Sequence, residues 1–81
     1  MQVIKRDGSS VPFRARKIEN AIRKAGWVDG ATVKLISRTI TERAQEVGKL
    51  SVEDIQDLVE DLLMQSEYQA VAKEYLRYRK V

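Results

Sequence analysis

Asp7-Gly8 constrains this chain more than any other dipeptide in it. Gly has no Cβ and Asp tolerates the left-handed region, so the pair reads as the centre of a type I′ turn. With that turn in place, Val3-Ile4-Lys5-Arg6 folds back on Ser9-Ser10-Val11-Pro12-Phe13. Pro12 has no N–H to give to a ladder, so the second arm runs along a free edge there. A two-stranded hairpin is marginal by itself in water and must lie on something. Only the helices that follow are available. Met1 to Lys17 also holds five basic side chains, Lys5, Arg6, Arg14, Arg16 and Lys17. The hairpin is therefore a basic cap on a helical body.

Four helical stripes follow. Ile18, Ala21, Ile22 and Ala25 fall at i, i+3, i+4 and i+7, one face of a first helix. Gly26 is placed to end it in the left-handed region, and Trp27 and Val28 are read as packing residues of the next loop. Asp29 caps a second helix with the stripe Val33, Ile36, Ile40, Ala44 and Val47, stopped by Gly48. Lys49-Leu50 is a short extended piece suited to joining the hairpin's sheet. Ser51 and Asp54 form a capping box for a third helix, with Val52, Ile55, Leu58, Val59, Leu62 and Leu63 inward. Ser66 and Gln69 repeat the box for a fourth, whose face is Tyr68, Val71, Ala72, Tyr75 and Leu76. The expected fold is α+β: a four-helix bundle capped by a three-stranded sheet, as one domain over residues 1–81.

Composition removes whole classes of chemistry. With no Cys and no His, thiolate and imidazole nucleophiles, zinc ribbons and disulfides are absent from these residues. No glycine-rich phosphate loop appears, because Gly8, Gly26, Gly30 and Gly48 all sit at turns or helix ends. No apolar run reaches membrane-spanning length and no signal-peptide core is visible, so the expected compartment is the cytoplasm. The chain is expected to be no enzyme, with no catalytic and no metal-ligating residue.

Charge is segregated. Residues 1–26 carry seven Lys and Arg against two carboxylates, whereas residues 51–72 carry six carboxylates and no base. Such polarity favours an anionic ligand at one end, although most of these charges are ordinary solvated helix faces. Lys5 and Arg6 are neighbours on a strand, so one looks at a ligand under the sheet and the other acts from the rim. Lys17 lies in the first turn of helix one, where free N–H groups and the positive end of the dipole suit phosphate oxygens. Phe13 and Ile18 beside them offer an apolar slot for a flat base, or else pin the hairpin to the bundle. A small basic module binding nucleic acid is the rival use of these charges. It ranks lower, because no helix shows a recognition face and the acidic third helix repels a duplex. A helical interaction domain without a ligand is a third reading.

The ordered set K-R-D-G (Lys5–Gly8), V-P-F (Val11–Phe13), K-I-x-x-A-I (Lys17–Ile22), S-V-E-D-I-Q-D-L-V-E (Ser51–Glu60) and A-K-E-Y-L-R-Y-R (Ala72–Arg79) resembles the ATP-cone domain. The similarity is greatest to the N-terminal cone of anaerobic ribonucleotide reductases. It implies allosteric binding of ATP or dATP, usually with Mg2+, between hairpin and helices. In the reductases ATP there permits activity and dATP shuts it down, commonly through assembly. By the resemblance, Lys5, Arg6 and Lys17 hold phosphates, and Val3, Val11, Phe13 and Ile18 line the nucleotide slot. Val52 and Gln56 read base or sugar, and Leu76 with Lys80 closes the site, Arg79 competing for that role. Many cones carry Thr at the position of Val52. A cone also occurs in a repressor of reductase genes, where a zinc ribbon precedes it; no such ribbon is expected ahead of this one. The expected partners are a nucleoside triphosphate and either the remainder of a reductase chain or further copies of this one; neither nucleic acid nor a membrane is expected.

Overall fold

The computed structural model describes residues 1–79, in the order β1 (Gln2–Ile4), β2 (Ser10–Pro12), α1 (Ala15–Ala25), α2 (Gly30–Val47), β3 (Lys49–Ser51), α3 (Val52–Gln65) and α4 (Gln69–Arg79). This is the expected α+β architecture. The strands form one mixed sheet in the order β2-β1-β3, with β1 antiparallel to β2 and parallel to β3. Pro12 lies on edge strand β2, where its missing N–H costs no ladder bond.

The hairpin turn differs from the expected type. Lys5 N–H donates to the Ser9 carbonyl at 2.8 Å and Gly8 N–H to the Lys5 carbonyl at 2.9 Å. The loop is thus three residues long, closed by Gly8, whose φ is +88°, while Asp7 stays at negative φ. The Asp7 carboxylate is occupied instead with the Ser9 N–H at 2.9 Å and the Ser9 hydroxyl at 2.7 Å, an Asx-type bond that holds the turn. The extra residue resets the register. Val3 faces Val11 and Ile4 faces Ser10, whereas a two-residue turn would set Ile4 against Val11. Directly opposed residues share a face, so the three-residue loop is what brings Val3 and Val11 to the same side of the sheet.

The caps at α2 and α3 are as expected. Asp29 accepts from the Thr32 N–H at 3.4 Å, and the Tyr68 hydroxyl donates to the same carboxylate at 2.8 Å. Gly48 ends α2 at φ +77°. Ser51 and Asp54 form the reciprocal box, at 3.0 and 3.3 Å. α1 packs on α2 and α4, and α3 packs on the same two, so the four helices close a bundle around Ile22, Val33, Ile40, Val59 and Leu63.

Four local expectations fail for physical reasons. Gly26 is extended rather than left-handed; a Cβ there would lie 3.0 Å from a methyl of Val71, so the glycine serves the close approach of α1 to α4. Trp27 is 77% exposed and stands in an edge-to-face arrangement with Tyr68, at 6.1 Å between ring centroids, while Val28 supplies the buried anchor. Val47 is exposed because the buried stripe of α2 stops at Ala44. Ser66 does not box with Gln69. Its hydroxyl donates to the Leu63 carbonyl at 2.6 Å and accepts from the Tyr68 N–H at 3.0 Å, joining the end of α3 to the approach of α4.

Candidate functional site

Between the sheet and the bundle lies a cleft of about 260 Å³. The hairpin contributes Val3, Lys5, Val11, Pro12 and Phe13, and the start of α1 contributes Arg14, Lys17, Ile18 and Ala21. Val52, Ile55, Gln56 and Val59 come from α3, and Tyr75 from α4. Each contribution follows from local periodicity. Val3 and Lys5 are two apart on extended chain and share a face. Lys17 and Ala21 are one turn apart, and the four α3 residues run at i, i+3, i+4 and i+7.

The electrostatics are one-sided. Lys5, Arg14 and Lys17 line the cleft, exposed at its mouth, and no carboxylate lines it. None of the three is ion-paired among the described residues. Arg14 occupies the N-cap position of α1 without a side-chain cap bond, and the first turn holds no acidic residue. The positive pole of α1 therefore opens beside three cations, and no carboxylate among the described residues lines the cleft to neutralise it.

Of the residues expected at a site, Val3, Lys5, Val11, Phe13, Lys17, Ile18, Val52 and Gln56 come together in this cleft. Arg6 sits at its rim. β1 ends at Ile4, so Arg6 belongs to the turn and reaches across to α3, donating to Gln56 Oε1 at 3.3 Å and lying 3.8 Å from Glu53. Leu76 is half-buried on α4 and does not line the cleft; Tyr75, one residue earlier, does.

Arg79 also lies outside the lining. One guanidinium nitrogen donates to Asp57 at 2.8 Å and to Glu60 at 3.2 Å, with the side chain 14% exposed. Burial pulls its pKa down, but the bonds to Asp57 and Glu60 outweigh that and hold it above the ordinary value. Arg79 thus clamps α4 to α3. Lys80 lies outside the described residues.

Pro12, Arg14, Ala21, Ile55, Val59 and Tyr75 line the cleft without having been singled out as site residues. Ile55 and Val59 were signalled by the stripe they share with Val52 and Gln56, and Ala21 by its spacing from Lys17. Arg14 was visible in the basic cluster. For Tyr75 the sequence carried no such signal, since its helical spacing reads equally as core.

Residues 1–81 match the ATP cone domain, and the chain belongs to that family. Its relatives are ribonucleotide reductases. It is 41% identical over 87 residues to the vitamin B12-dependent ribonucleoside-diphosphate reductase of Thermoplasma acidophilum, with 96% of this chain covered. It is 36% identical over 81 residues to the anaerobic ribonucleoside-triphosphate reductase of Escherichia coli, with 95% covered. Identity to the ribonucleoside-diphosphate reductase subunit alpha of Chlamydia pneumoniae is 30% over 93 residues, again with 95% covered. The chain spans 11%, 11% and 9% of these three relatives' lengths. No helix among the described residues is long and apolar enough to cross a membrane.

Proposed function

We propose that the cleft is an allosteric nucleotide site that distinguishes ATP from dATP. The observation that carries this reading is a cleft with apolar walls and three cations at its mouth that, among the described residues, have no ion-pair partner and no carboxylate beside them in the lining. Family membership and similarity to ribonucleotide reductases support it. At about 260 Å³ the cleft is just below the range of roughly 300–1,000 Å³ typical for a small-molecule ligand. The base and sugar enter between Phe13, Ile18, Val52 and Gln56. The phosphate chain stays at the mouth, on Lys5, Lys17 and the start of α1, with Arg6 acting from the rim. Because no carboxylate among the described residues lines the cleft, Mg2+ would arrive on the phosphates rather than on the protein. Binding alone transmits nothing; a signal requires that ATP and dATP favour different states of the domain or its assembly. The recipient is the remainder of a reductase chain or further copies of this one.

Calorimetric titration with ATP and then dATP in Mg2+, with mass followed by light scattering, tests this. Saturable binding is expected, and Lys17→Ala weakens it about tenfold or more through loss of a charge-assisted phosphate contact. Absence of binding by either nucleotide refutes the site. Binding of comparable strength to mixed-sequence DNA, falling steeply with salt, points instead to a nucleic-acid module.

A further inference from the structure

Tyr75 is 4% exposed and nevertheless lines the cleft. A buried tyrosine hydroxyl ordinarily has a hydrogen-bond partner, and this one has none among the described residues. The contrast is Tyr68, whose hydroxyl donates to Asp29 at 2.8 Å. No fully occluded side-chain nitrogen or oxygen among the described residues lacks a partner, so the Tyr75 hydroxyl keeps some accessible surface. Its side chain lines the cleft, and the charges of Arg79, Glu60 and Asp57 act on the hydroxyl from the neighbouring α3–α4 clamp. Burial, chiefly, pushes the Tyr75 phenol above its ordinary pKa. It stays protonated and able to donate at any physiological pH. The cations stand apart from it in kind, since Lys5, Arg14 and Lys17 are exposed at the mouth and Tyr75 is buried in the wall among Ile18, Val59 and other core side chains.

We infer that Tyr75 is a specificity residue whose hydroxyl hydrogen-bonds the uncharged nucleoside end of the ligand, leaving the phosphate chain to the cations. The inference rests on the nucleotide reading of the cleft. The chemistry recognised is an acceptor atom on the nucleoside, carried by a ring nitrogen of the base or by the ribose 2′-hydroxyl. An apolar slot alone discriminates poorly between ligands of one shape, whereas a buried polar group left unpaired by the wrong ligand discriminates strongly.

The test uses the whole 81-residue chain and Tyr75→Phe, which keeps the ring and deletes one oxygen. ATP, dATP and inorganic tripolyphosphate are titrated into wild type, Tyr75→Phe and Lys17→Ala. Tyr75→Phe is expected to weaken ATP about 3- to 10-fold, the range of one neutral hydrogen bond. It should leave tripolyphosphate affinity and the ligand-free melting temperature unchanged, while Lys17→Ala weakens ATP and tripolyphosphate together. An equal penalty with dATP assigns the acceptor to the base; a penalty for ATP alone assigns it to the 2′-hydroxyl. Unchanged ATP affinity in Tyr75→Phe overturns the inference while leaving the site intact. So does an equal loss of tripolyphosphate affinity, or a lower ligand-free melting temperature, which would make the hydroxyl structural. Failure of wild type to bind both ATP and tripolyphosphate overturns the nucleotide reading itself.

Discussion

Replacing Arg79 with Met separates a helix clamp from a ligand contact. Met retains much of the apolar stem that Arg79 buries and removes only the guanidinium, so the loss is confined to the contacts at 2.8 Å with Asp57 and 3.2 Å with Glu60. Asp57 is 65% exposed and water screens it, so that pair contributes about 0.5 kcal/mol. Glu60 is 27% exposed, and a charge-assisted bond there is worth about 1 kcal/mol. The domain should lose roughly 1–2 kcal/mol, and a domain this size moves about 4–8 °C in Tm per kcal/mol. Thermal unfolding followed by circular dichroism reads this directly. In about 1 M salt, where the screening length falls to about 3 Å, the gap between variant and wild type should narrow as the exposed Asp57 share is lost. ATP affinity of the folded variant should stay within about twofold of wild type. An unchanged melting temperature with lost ATP binding would refute the clamp and return Arg79 to the site.

Two further substitutions probe the helix contacts. Gly26→Ala sets a Cβ 3.0 Å from the Val71 methyl and should cost about 1–3 kcal/mol by overpacking; adding Val71→Ala should recover part of that, and strict additivity in denaturant unfolding would refute the contact. Glu19 is held below its ordinary pKa chiefly by the Lys34 ammonium, which donates to it at 3.0 Å. A depressed carboxylate stabilises the fold above its unfolded-state pKa, and that share disappears as pH falls through the lower folded-state value. Glu19→Gln should therefore be less stable than wild type at neutral pH and converge with it in acid; parallel pH–stability curves would refute the assignment.

What the sequence disclosed was mostly local. Ser51 with Asp54 and Gly48 at the end of α2 were legible because a cap is satisfied by atoms within three or four residues of itself. The same reasoning misassigned Asp7-Gly8, since Asp7 had a competing local partner in Ser9 that a turn template does not weigh. Gly26 was read as a helix terminator although its constraint comes from Val71, 45 residues away. Arg79 was read as a ligand contact because two carboxylates 22 and 19 residues earlier become its neighbours only once α3 and α4 pack. Much of the cleft was readable where strand and helix periodicity gathered Val3, Lys5, Lys17, Val52 and Gln56. Tyr75 was not, because a buried aromatic at helical spacing looks the same whether its hydroxyl faces a partner or an opening.

Ser51 is both the last residue of β3 and the N-cap of α3. It stands opposite Ile4 in the parallel ladder while its side chain holds the first turn of the helix. No linker separates sheet from helix, so neither can tilt without breaking a ladder bond or a cap. β1, β3 and α3 are thus joined directly, and β1 and the first half of α3 both supply walls of the cleft. A ligand that displaced that wall would act on the root of a 14-residue helix about 20 Å long, whose far end is Gln65.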